Sequence, residues 1–351
     1  MSAPLLINGR FLSRPLTGVE RCACELTRAL YKICPERVTI ALPADAGPPP
    51  VAVPATHPGR RRGYLWEQVD LARHTPEACL LSLCNLGPVL RAAQAVMMHD
   101  AQVFDLPQNF SPRFRRAYQL IQPRLARRAH HVFTVSHYSR ARLEARGVVP
   151  RGKAKVIANG ADHLDMVRAE PGILDRHGLE PRGFFLTVGS QSPHKNLSCL
   201  IDAATMRLVG SAPLVVVGGA SKHIFSTTQM PRPLASAPLM LGRVSDPELK
   251  TLYRNALAFA LPSRAEGFGL PALEAMREGC PVLAANAGAL PETCGPAARL
   301  LDPDRAEDWC TAMQAIEASA TMRQELAQRG EEHAARFTWL RAASQLLEAL
   351  C

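Results

Sequence analysis

The chain has 351 residues, enough for two domains of ordinary size, and its 47% hydrophobic and 21% charged residues are typical of a folded globular protein. No apolar run approaches the roughly 18 residues of a transmembrane helix, and the opening segment Pro4–Asn8 predicts a strand rather than a signal peptide. The ten cysteines contain no Cys-x-x-Cys pair, so neither a zinc site nor a disulfide framework is indicated and a reducing, cytoplasmic location is expected.

The net charge of +10 is unevenly divided along the chain. Residues 1–170 contain 24 Lys and Arg against 13 Asp and Glu, a net charge of +11, whereas residues 171–351 contain 17 against 18, a net charge of −1. The basic clusters are Arg60-Arg61-Arg62 and the arginines of segment 113–128. A basic face favours an anionic membrane surface, a phosphorylated acceptor or nucleic acid. A solvated, arginine-rich surface without a partner is the equally weighted alternative.

Short apolar runs alternate with longer helical patterns in both halves, which predicts parallel, doubly wound sheets. Strands are predicted at residues 4–8, 37–42, 78–83, 95–98, 131–135 and 155–158, and then at 184–188, 213–217, 238–241, 256–261, 281–284 and 298–301. Helices are predicted at residues 18–33, 112–129 and 137–146, and then at 196–208, 246–255, 271–278, 304–319, 321–335 and 338–350. The proline-rich segment 43–63 is predicted to be loop.

The pattern lapses between residues 163 and 182, where Pro171-Gly172 and Pro181-Arg182-Gly183 occur, and this predicts a domain boundary. We therefore predict four regions along the chain. They are a Rossmann-like acceptor-side domain over 1–165, a linker over 166–182, a Rossmann-like donor-binding domain over 183–335, and a terminal helix over 336–351 that packs back on the first domain. Because ligands of such sheets bind beyond the carboxyl ends of the strands, a cleft between two facing domains is the expected active site.

The segment from Pro262 to Pro281 is the most informative in the chain. A predicted strand leads into the loop Gly267–Leu270, and Pro271 lies in the first turn of the helix that follows. The N–H groups of such a loop and helix start can surround an anion, at which the positive end of the helix dipole points. Glu266 and Glu274 flank this site and are suited to accept hydrogen bonds from sugar hydroxyls. Taken alone, Glu274 is better explained as a complement to the helix dipole.

Six further motifs occur in order along the chain. They are Thr17-Gly18-Val19-Glu20-Arg21, His99-Asp100 after a predicted strand, Thr134-Val135-Ser136-His137-Tyr138-Ser139, Asn159-Gly160-Ala161-Asp162, Phe185-Leu186-Thr187-Val188-Gly189 through Lys195-Asn196, and Leu241-Gly242-Arg243-Val244-Ser245. Together with the Glu-x7-Glu spacing of Glu266 and Glu274, they resemble the motifs of the family-4 retaining glycosyltransferases of the GT-B fold over nearly the whole chain. Seven motifs in order are far more specific than any single one.

The resemblance implies a role for each motif residue. His99, Lys195 and Glu266 are the expected catalytic residues, Glu266 contacts the donor sugar, and Glu274 holds the ribose hydroxyls. The remaining donor-binding residues are Gly18, Gly189, Ser190, Arg243, Val244, Gly267, Phe268, Gly269 and Leu270, with Ser136 and Asn159 on the acceptor side. Many members of the family carry Arg where this chain has Ser190, and some branches carry a small residue. The difference moves phosphate neutralisation onto Lys195, with Arg243 as a second candidate.

The expected chemistry is loss of a nucleoside diphosphate from the donor sugar. Lys195 and the amides of residues 267–271 are expected to stabilise the charge that grows on this leaving group. The only Asp-x-Asp pair, Asp302-Pro303-Asp304, is explained as a helix cap, so neither a metal nor another cofactor is expected. Retention without an obvious nucleophile implies front-face transfer, in which the departing phosphate takes the acceptor's proton and His99 positions the sugar. In isolation, His99 is better explained as a satisfied histidine at a strand end.

The expected function is transfer of a hexose from a nucleoside-diphosphate sugar to a glycan or lipid-linked acceptor in bacterial surface polysaccharide assembly. The opening from Asn8-Gly9-Arg10 to Arg21 resembles that of polysaccharide mannosyl- and rhamnosyltransferases and favours GDP-mannose, with UDP-glucose-type donors open. The alternatives are another GT-B enzyme, such as a nucleotide-sugar epimerase or a phosphorylase, and a non-catalytic binding protein with a decayed site. No nucleic-acid partner is expected, since only the charge favours one. The arginine-rich segment 113–128 is predicted to pack on the sheet, to lie on an anionic membrane, or both.

Overall fold

The computed structural model describes residues 3–190, 192–208, 210–219 and 237–350. These residues form two compact units, one running up to Gly160 and resuming at Thr338, the other running from Ala161 to Phe337. Within the described residues, each unit contains one parallel sheet, with seven strands in the first and six in the second, and helices lie between most of the successive strands. The prediction of two doubly wound, Rossmann-like domains is confirmed.

The sheet of the first unit has the strand order β3-β2-β1-β4-β5-β6-β7. Its strands are β1 Leu5–Asn8, β2 Val38–Ala41, β3 Ala55–Thr56, β4 Cys79–Ser82, β5 Gln94–Met97, β6 His131–Thr134 and β7 Ala154–Val156. In the parallel register, Ile7 lies between Ile40 and Leu81. The chain crosses from one side of β1 to the other between β3 and β4, so the topological switch point lies at the carboxyl ends of β1 and β4.

The helices of the first unit follow the predicted pattern, with several short additions. The α-helices are α1 Gly18–Ile33, α2 Gly63–Leu65, α3 Leu71–Arg73, α4 Gln102–Asp105, α5 Pro112–Arg128, α6 His137–Ala145 and, at the end of the chain, α14 Trp339–Leu350. A π-helical turn covers Trp66–Asp70, and 3-10 turns cover Gly9–Ser13 and Pro107–Asn109. The prediction that segment 43–63 is only loop is wrong in part, because Ala55 of β3 pairs with Ile40 at the edge of the sheet.

The arginine-rich helix α5 packs against its unit with one side. Leu125 is fully buried and Tyr118 is 4% exposed, whereas Leu120 on the other side is 56% exposed. The predicted packing of this segment is therefore confirmed, and its basic side chains remain at the surface. Among the described residues, no helix has both the length and the apolar character needed to cross a membrane.

The sheet of the second unit has the strand order β10-β9-β8-β11-β12-β13. Its strands are β8 Phe185–Val188, β9 Leu214–Val217, β10 Leu239–Gly242, β11 Ala258–Leu261, β12 Val282–Ala285 and β13 Arg299–Leu301. The α-helices are α7 Gly172–His177, α8 Leu197–Thr205, α9 Asp246–Asn255, α10 Leu270–Arg277, α11 Leu290–Cys294, α12 Ala306–Ala318 and α13 Ala320–Ala334, and 3-10 turns cover Asp162–Leu164, Pro193–Lys195 and Gly295–Ala297. Its switch point lies at the carboxyl ends of β8 and β11.

The two ends of the second unit meet each other in the fold. The N–H of Ala161 donates to the carbonyl of Phe337 over 3.0 Å. The segment 166–182 contains helix α7 and belongs to this unit, and helix α14 belongs to the first. Within the first unit, Gly160 lies so close to Trp339 that an added Cβ would come within 2.2 Å of the Trp339 nitrogen. Only glycine fits at this position.

Candidate active site

A small pocket with both polar and aliphatic lining residues opens at the switch point of the second unit. The residues that follow β8 and β11 line it together with neighbouring strand residues, namely Thr187, Val188, Gly189, Ser190, Lys195, Leu197, Val216, Leu261 and Ser263. Ser190 Oγ lies at hydrogen-bond distance, 3.0 Å, from Ser192 Oγ. The hydroxyl of Ser263 is buried and has no hydrogen-bond partner within the described part of the chain. The pocket therefore combines hydroxyl groups, a glycine and one lysine at the edge where ligands of such sheets bind.

Lys195 and Glu266 form an ion pair beside this pocket. The ammonium nitrogen lies 2.5 Å from Glu266 Oε1, and the side chains are 22% and 10% exposed. The pair joins the loops that follow β8 and β11, which the sequence analysis predicted to meet at one edge. The two residues expected to act on phosphate and on sugar are thus in direct contact.

Asn196 holds the 3-10 turn Pro193–Lys195, which it directly follows, in place. This residue adopts a left-handed conformation with φ 55°, and its Nδ2 donates to the carbonyls of Pro262 and Pro303 over 3.1 and 2.6 Å. Asn196 is the N-cap residue of helix α8, but its side chain makes no capping bond to that helix. Asn196 instead links the Lys195 turn to the end of β11.

The backbone of Glu266 is held by the turn after β12. The N–H of Ala289 donates to the Glu266 carbonyl over 3.0 Å. Gly288, with φ 62°, approaches so closely that an added Cβ would lie 2.7 Å from the Glu266 nitrogen. The sequence analysis missed Gly288, although an isolated glycine after a predicted strand was the available signal.

The loop Gly267–Leu270 leads directly into helix α10. Gly269 is the N-cap residue of α10 and adopts a left-handed conformation with φ 92°. Because glycine has no side chain, the start of this helix has no side-chain cap. Phe268 and Leu270 are each 7% exposed, and Phe268 packs edge-on against Phe337 with ring centroids 6.1 Å apart. These two side chains anchor the loop, so the backbone and the helix dipole are the parts suited to an anion.

Glu274 lies inside the protein with both carboxylate oxygens engaged. The hydroxyl of Tyr253 donates to Oε2 over 2.9 Å, and His163 Nε2 lies 3.1 Å from Oε1. Glu274 is 7% exposed and Tyr253 is fully buried. Burial, followed by the nearby carboxylate, raises the pKa of Tyr253 well above its usual range, so its hydroxyl keeps its proton. The sequence analysis identified neither partner of Glu274.

His194 lies directly before Lys195 and is another residue that the sequence analysis missed. The pKa of His194 is lowered to about 4, mainly by burial and then by the charge of Lys195, while Glu266 partly opposes both. His194 is therefore neutral at neutral pH. Its carbonyl accepts the N–H of Arg264 over 2.9 Å, which ties the two loops of the site together.

Strands β9 and β10 bring three glycines to the same edge of the sheet. Gly218, with φ 141°, lies so close to Gly189 that an added Cβ would come within 1.9 Å of the Gly189 carbonyl oxygen. Its N–H donates to the carbonyl of Gly242 over 2.7 Å. Arg243 follows at the surface with its Nε near Gly219, and Val244 is half-buried. Arg243 thus lies at the edge that contains Lys195, two strands further along.

In the first unit, His99 follows β5 and is 5% exposed. Its Nε2 lies 2.9 Å from the carbonyl of Leu83, and its N–H donates to Asn85 Oδ1 over 2.7 Å. Because a carbonyl only accepts, Nε2 carries the proton and Nδ1 is left as an acceptor. Burial lowers the pKa of His99, so the ring is neutral. The hydrogen bond satisfies the ring as the structural interpretation expects, and it also orients Nδ1.

The loop that follows β4 contacts the start of helix α1 as well as His99. The thiol of Cys84 donates to the carbonyl of Val19 over 3.7 Å. An added Cβ on Gly18 would meet no atom of the described residues within 4 Å, so the first turn of α1 is open. Glu20 is buried beside it and accepts a hydrogen bond from the Thr17 hydroxyl. Gly18 and His99 therefore lie on either side of one loop.

The two acceptor-side residues differ in environment. Ser136 follows β6 and caps helix α6, where its Oγ accepts the N–H of Ser139 over 3.0 Å. Asn159 is 3% exposed, and its Oδ1 has no hydrogen-bond partner among the residues that the structure describes. Ser136 thus has a structural task, whereas Asn159 keeps an unused acceptor.

Both carboxylates of the Asp302-Pro303-Asp304 pair have partners within the second unit. Asp302 Oδ1 accepts the N–H of Asp304 over 2.9 Å, and Asp304 pairs with Arg264 over 2.6 Å. The prediction of a helix cap is wrong, because the N-cap residue of α12 is Arg305, and this helix start has no side-chain capping bond. Within the described ranges, no group of three or more His, Cys, Asp and Glu side chains is arranged to hold a metal ion.

Comparison with known proteins places these features in a family. The model described as Glycosyltransferase Family 4 matches residues 16–163, and the model described as Glycosyl transferases group 1 matches residues 173–333. Together they span most of the chain. The protein therefore belongs to the family-4, or group 1, glycosyltransferases, and its two doubly wound units are those of the GT-B fold.

Individual relatives agree with this assignment. The O-antigen chain mannosyltransferase RfbU of Salmonella typhimurium is 30% identical over 66% of this chain and 62% of its own length. The chain thus covers less than two thirds of this relative. The O-antigen chain mannosyltransferase B of Escherichia coli is 27% identical over 84% of this chain and 77% of its own. The crystal structure of Anabaena Alr3699/HepE in complex with UDP-glucose superposes with a TM-score of 0.76 over 99% of both chains at 20% identity, which is a similarity of fold.

Proposed function

We propose that the protein is a retaining, metal-independent glycosyltransferase that transfers a hexose, with mannose from GDP-mannose favoured, to a glycan or lipid-linked acceptor in surface polysaccharide assembly. The observation that carries the proposal is the Lys195–Glu266 pair beside the pocket at the switch point of the second unit. A cation and a carboxylate at this edge suit a ligand that has a diphosphate next to a sugar. Membership of the glycosyltransferase family supports the same assignment.

Lys195 is assigned to the leaving group. When the glycosidic bond breaks, its electron pair goes to the nucleoside diphosphate, and the ammonium stabilises the added negative charge. Ser190 and the start of helix α10 supply hydroxyl and N–H donors, and Arg243 lies further along the same edge. The departing phosphate oxygen then takes the proton of the acceptor hydroxyl, so charge and protons balance without an external base.

Glu266 is assigned to the hydroxyls of the transferred sugar. The carboxylate is held by Lys195 and its backbone by the turn at Gly288, so it has one preferred orientation. Glu274 is assigned to the ribose of the donor. In the first unit, neutral His99 presents an acceptor nitrogen and is assigned to positioning the sugar rather than to proton abstraction. Gly18 at the open start of α1 is assigned to the donor phosphates, and Asn159 to the acceptor.

The proposal of mannose as the transferred sugar follows from the similarity to O-antigen mannosyltransferases. The HepE structure contains UDP-glucose, so the screen described below includes both guanosine and uridine diphosphate sugars. The basic surface of the first unit, including helix α5, is proposed to bind an anionic membrane where a lipid-linked acceptor resides. This places the protein at the cytoplasmic face of the membrane as a peripheral protein.

A screen of nucleotides by thermal shift tests the proposed function. A ligand that binds only the folded protein stabilises it by about 2.7 kcal/mol at 100 times its Kd. We expect GDP and GDP-mannose to raise the Tm more than UDP, UDP-glucose or the nucleoside monophosphates. A preference for uridine nucleotides would correct the donor. No shift with any nucleoside diphosphate or nucleotide sugar would refute the function.

A further inference from the structure

A second cluster of charged and aromatic side chains lies at the switch point of the first unit. Arg10 follows strand β1, and its side chain is only 5% exposed. Its Nε donates to Glu67 Oε1 over 2.9 Å, and its guanidinium lies 4.8 Å from the centre of the Tyr64 ring. Glu67 is fully buried, and Asn8 Nδ2 donates to the same carboxylate oxygen over 2.7 Å. These contacts hold the Arg10 side chain in one orientation.

The pairing of Arg10 leaves most of its donors unused. A guanidinium has five N–H groups, and in the part of the chain that the structure describes only the one on Nε has a hydrogen-bond partner. Burial of unpaired charged donors is costly, so the N–H groups on Nη1 and Nη2 favour a bound acceptor. A planar pair of such donors matches the two oxygens of a phosphate or a carboxylate.

Arg14 lies further along the same loop and is the second cation of the cluster. Its side chain is 29% exposed, so a ligand can reach it from the surface. It forms a hydrogen bond with Tyr118, and its nitrogen lies 3.8 Å from Glu20, beyond hydrogen-bond distance. Burial, followed by Glu20, raises the pKa of Cys84, and the charges of Arg10 and Arg14 oppose this increase. Both arginines therefore lie close to the loop that follows β4.

Aromatic side chains pack beside the two arginines. Tyr118 is 4% exposed and stacks on Phe114 with ring centroids 4.2 Å apart, and Phe114 stacks on Phe110 with centroids 5.6 Å apart. Tyr64 packs against the same cluster. These rings exclude water and lower the local dielectric constant, which strengthens the attraction between an arginine and an anion.

We propose that Arg10 and Arg14 form a subsite for an oxyanion of the acceptor, so that the acceptor is a sugar that carries a phosphate or a carboxylate. The inference rests on the proposed function, because it takes the first unit as the acceptor side of a glycosyltransferase. It names the chemical class of the acceptor and gives its anionic group a binding site. The pair with Glu67 orients Arg10, and Arg14 completes the subsite from the exposed side.

The test measures the Kd of three sugars by ligand-observed NMR titration. The sugars are methyl α-glucoside, which is neutral, glucuronate and glucose 1-phosphate. The nucleoside diphosphate that binds best in the thermal-shift screen is present at saturation, so that it keeps the anionic sugars out of the donor site. Because hydrogen bonds between charged groups are the strong ones, at least one anionic sugar is expected to bind roughly tenfold more tightly than the neutral one. The tighter of the two anions identifies the group that the acceptor carries.

Two variants test the arginines themselves. Arg14→Gln and Arg10→Lys are each expected to reduce the preference for the anionic sugar about fivefold or more, since lysine can pair with Glu67 but has no planar pair of donors. Arg28→Gln is the matched control, because Arg28 is an exposed arginine of the same unit that pairs with Glu25, and it should retain the preference. None of the three variants is expected to change the Kd of the nucleoside diphosphate, which calorimetry measures.

Each outcome decides the inference. A preference that falls in Arg14→Gln and Arg10→Lys and survives in Arg28→Gln supports it. No preference in the wild type, an undiminished preference in Arg14→Gln, or an equal fall in Arg28→Gln overturns it. A weaker nucleoside diphosphate in Arg14→Gln also overturns it, because this arginine would then serve the donor.

The same experiment separates failure of the inference from failure of the proposed function. If Arg10→Lys does not fold, Arg14→Gln decides alone. A wild-type protein that binds a nucleoside diphosphate but none of the three sugars refutes the inference alone. One that binds no nucleoside diphosphate refutes the proposed function as well.

Discussion

Lys195 and Glu266 are in contact across the switch point of the second unit, with Nζ 2.5 Å from Oε1. Each side chain is largely shielded from water, so neither charge is free to reorient without the other. In the proposed mechanism, a diphosphate that arrives at this pocket meets an ammonium that already has one anionic partner. The proposal therefore has the carboxylate orient the ammonium, and the ammonium orient the carboxylate towards the sugar. Loss of either partner is expected to disturb both tasks.

Substitutions of Glu266 and Glu274 are expected to change different kinetic parameters. Glu274→Ala should mainly raise the KM and Kd of the donor, because a ribose contact is present in both the ground state and the transition state. Glu266→Gln should mainly lower kcat, because it changes the group next to the reacting sugar and the partner of Lys195. Steady-state kinetics and calorimetry on both variants provide the measurement. Purely binding effects of equal size in both would show that the two roles are wrongly assigned.

Stability is expected to fall in mild acid because of His194. Burial, with the charge of Lys195, lowers the pKa of this histidine from about 6.5 to about 4. Between these values the unfolded chain binds a proton that the folded protein does not, so the free energy of unfolding decreases as the pH falls. The stabilisation is complete above pH 6.5 and is lost towards pH 4.

Urea unfolding of the wild type and of His194→Gln at several pH values measures this contribution. The variant cannot titrate at this position, so its unfolding free energy should decline less steeply between pH 6.5 and 4. The buried His99, whose pKa is also lowered, titrates in both proteins and serves as the common background. Parallel curves for the two proteins would contradict the assigned environment of His194.

The transfer reaction is expected to proceed in EDTA. The proposal gives charge neutralisation to Lys195 and the start of helix α10, and the Asp302–Asp304 pair is engaged by a backbone N–H and by Arg264. Initial rates with and without chelator, and with added magnesium or manganese, provide the measurement. Complete loss of activity in EDTA that either ion restores would refute metal independence.

The first unit is expected to bind anionic lipid vesicles in a salt-sensitive manner. A basic residue near such a surface contributes about 1 kcal/mol, and screening weakens this contribution as ionic strength rises. Replacing the exposed Arg113, Arg116 and Arg127 with glutamine should therefore weaken binding more than tenfold. Vesicle flotation at low and high salt provides the measurement.

The matched control for this experiment replaces three exposed arginines of the second unit, Arg182, Arg305 and Arg329, with glutamine. The change in net charge is the same, so retained binding in this control would assign the effect to helix α5. Equal loss in both variants would instead indicate attraction by overall charge. If the wild type does not float at low salt, the membrane proposal fails.

The strands and long helices of the fold were predictable because both signals are local. Buried parallel strands such as Leu214–Val217 form continuous apolar runs, and Ser245 with Glu248 supplies the capping box that begins helix α9. Strand β3 was missed because two residues at a sheet edge, Ala55 and Thr56, are too few to show a period. The short helix α7 lies in a stretch whose punctuation by proline and glycine predicted a linker.

The sequence identified the motif residues of the candidate site, but it did not predict which of them contact one another. The sequence placed Lys195 and Glu266 after two strands of one sheet, yet their direct pairing depends on the fold. Asn196 lies at the start of the predicted helix 196–208, yet its side chain bonds carbonyls that are distant along the chain. The two donors to Glu274 belong to other segments, and neither Tyr253 nor His163 lies in a pattern that indicates such a contact.

The most direct test of the central claim is the turnover of Lys195→Ala at saturating donor. Removing one preorganised donor to a developing charge typically costs about 3 kcal/mol, so a hundredfold or greater fall in kcat is expected. Arg264→Ala is the control, because it removes a nearby cation that pairs with Asp304 instead of Glu266. A folded Lys195→Ala protein that retains near-normal kcat would contradict the proposed phosphate site and the mechanism built on it.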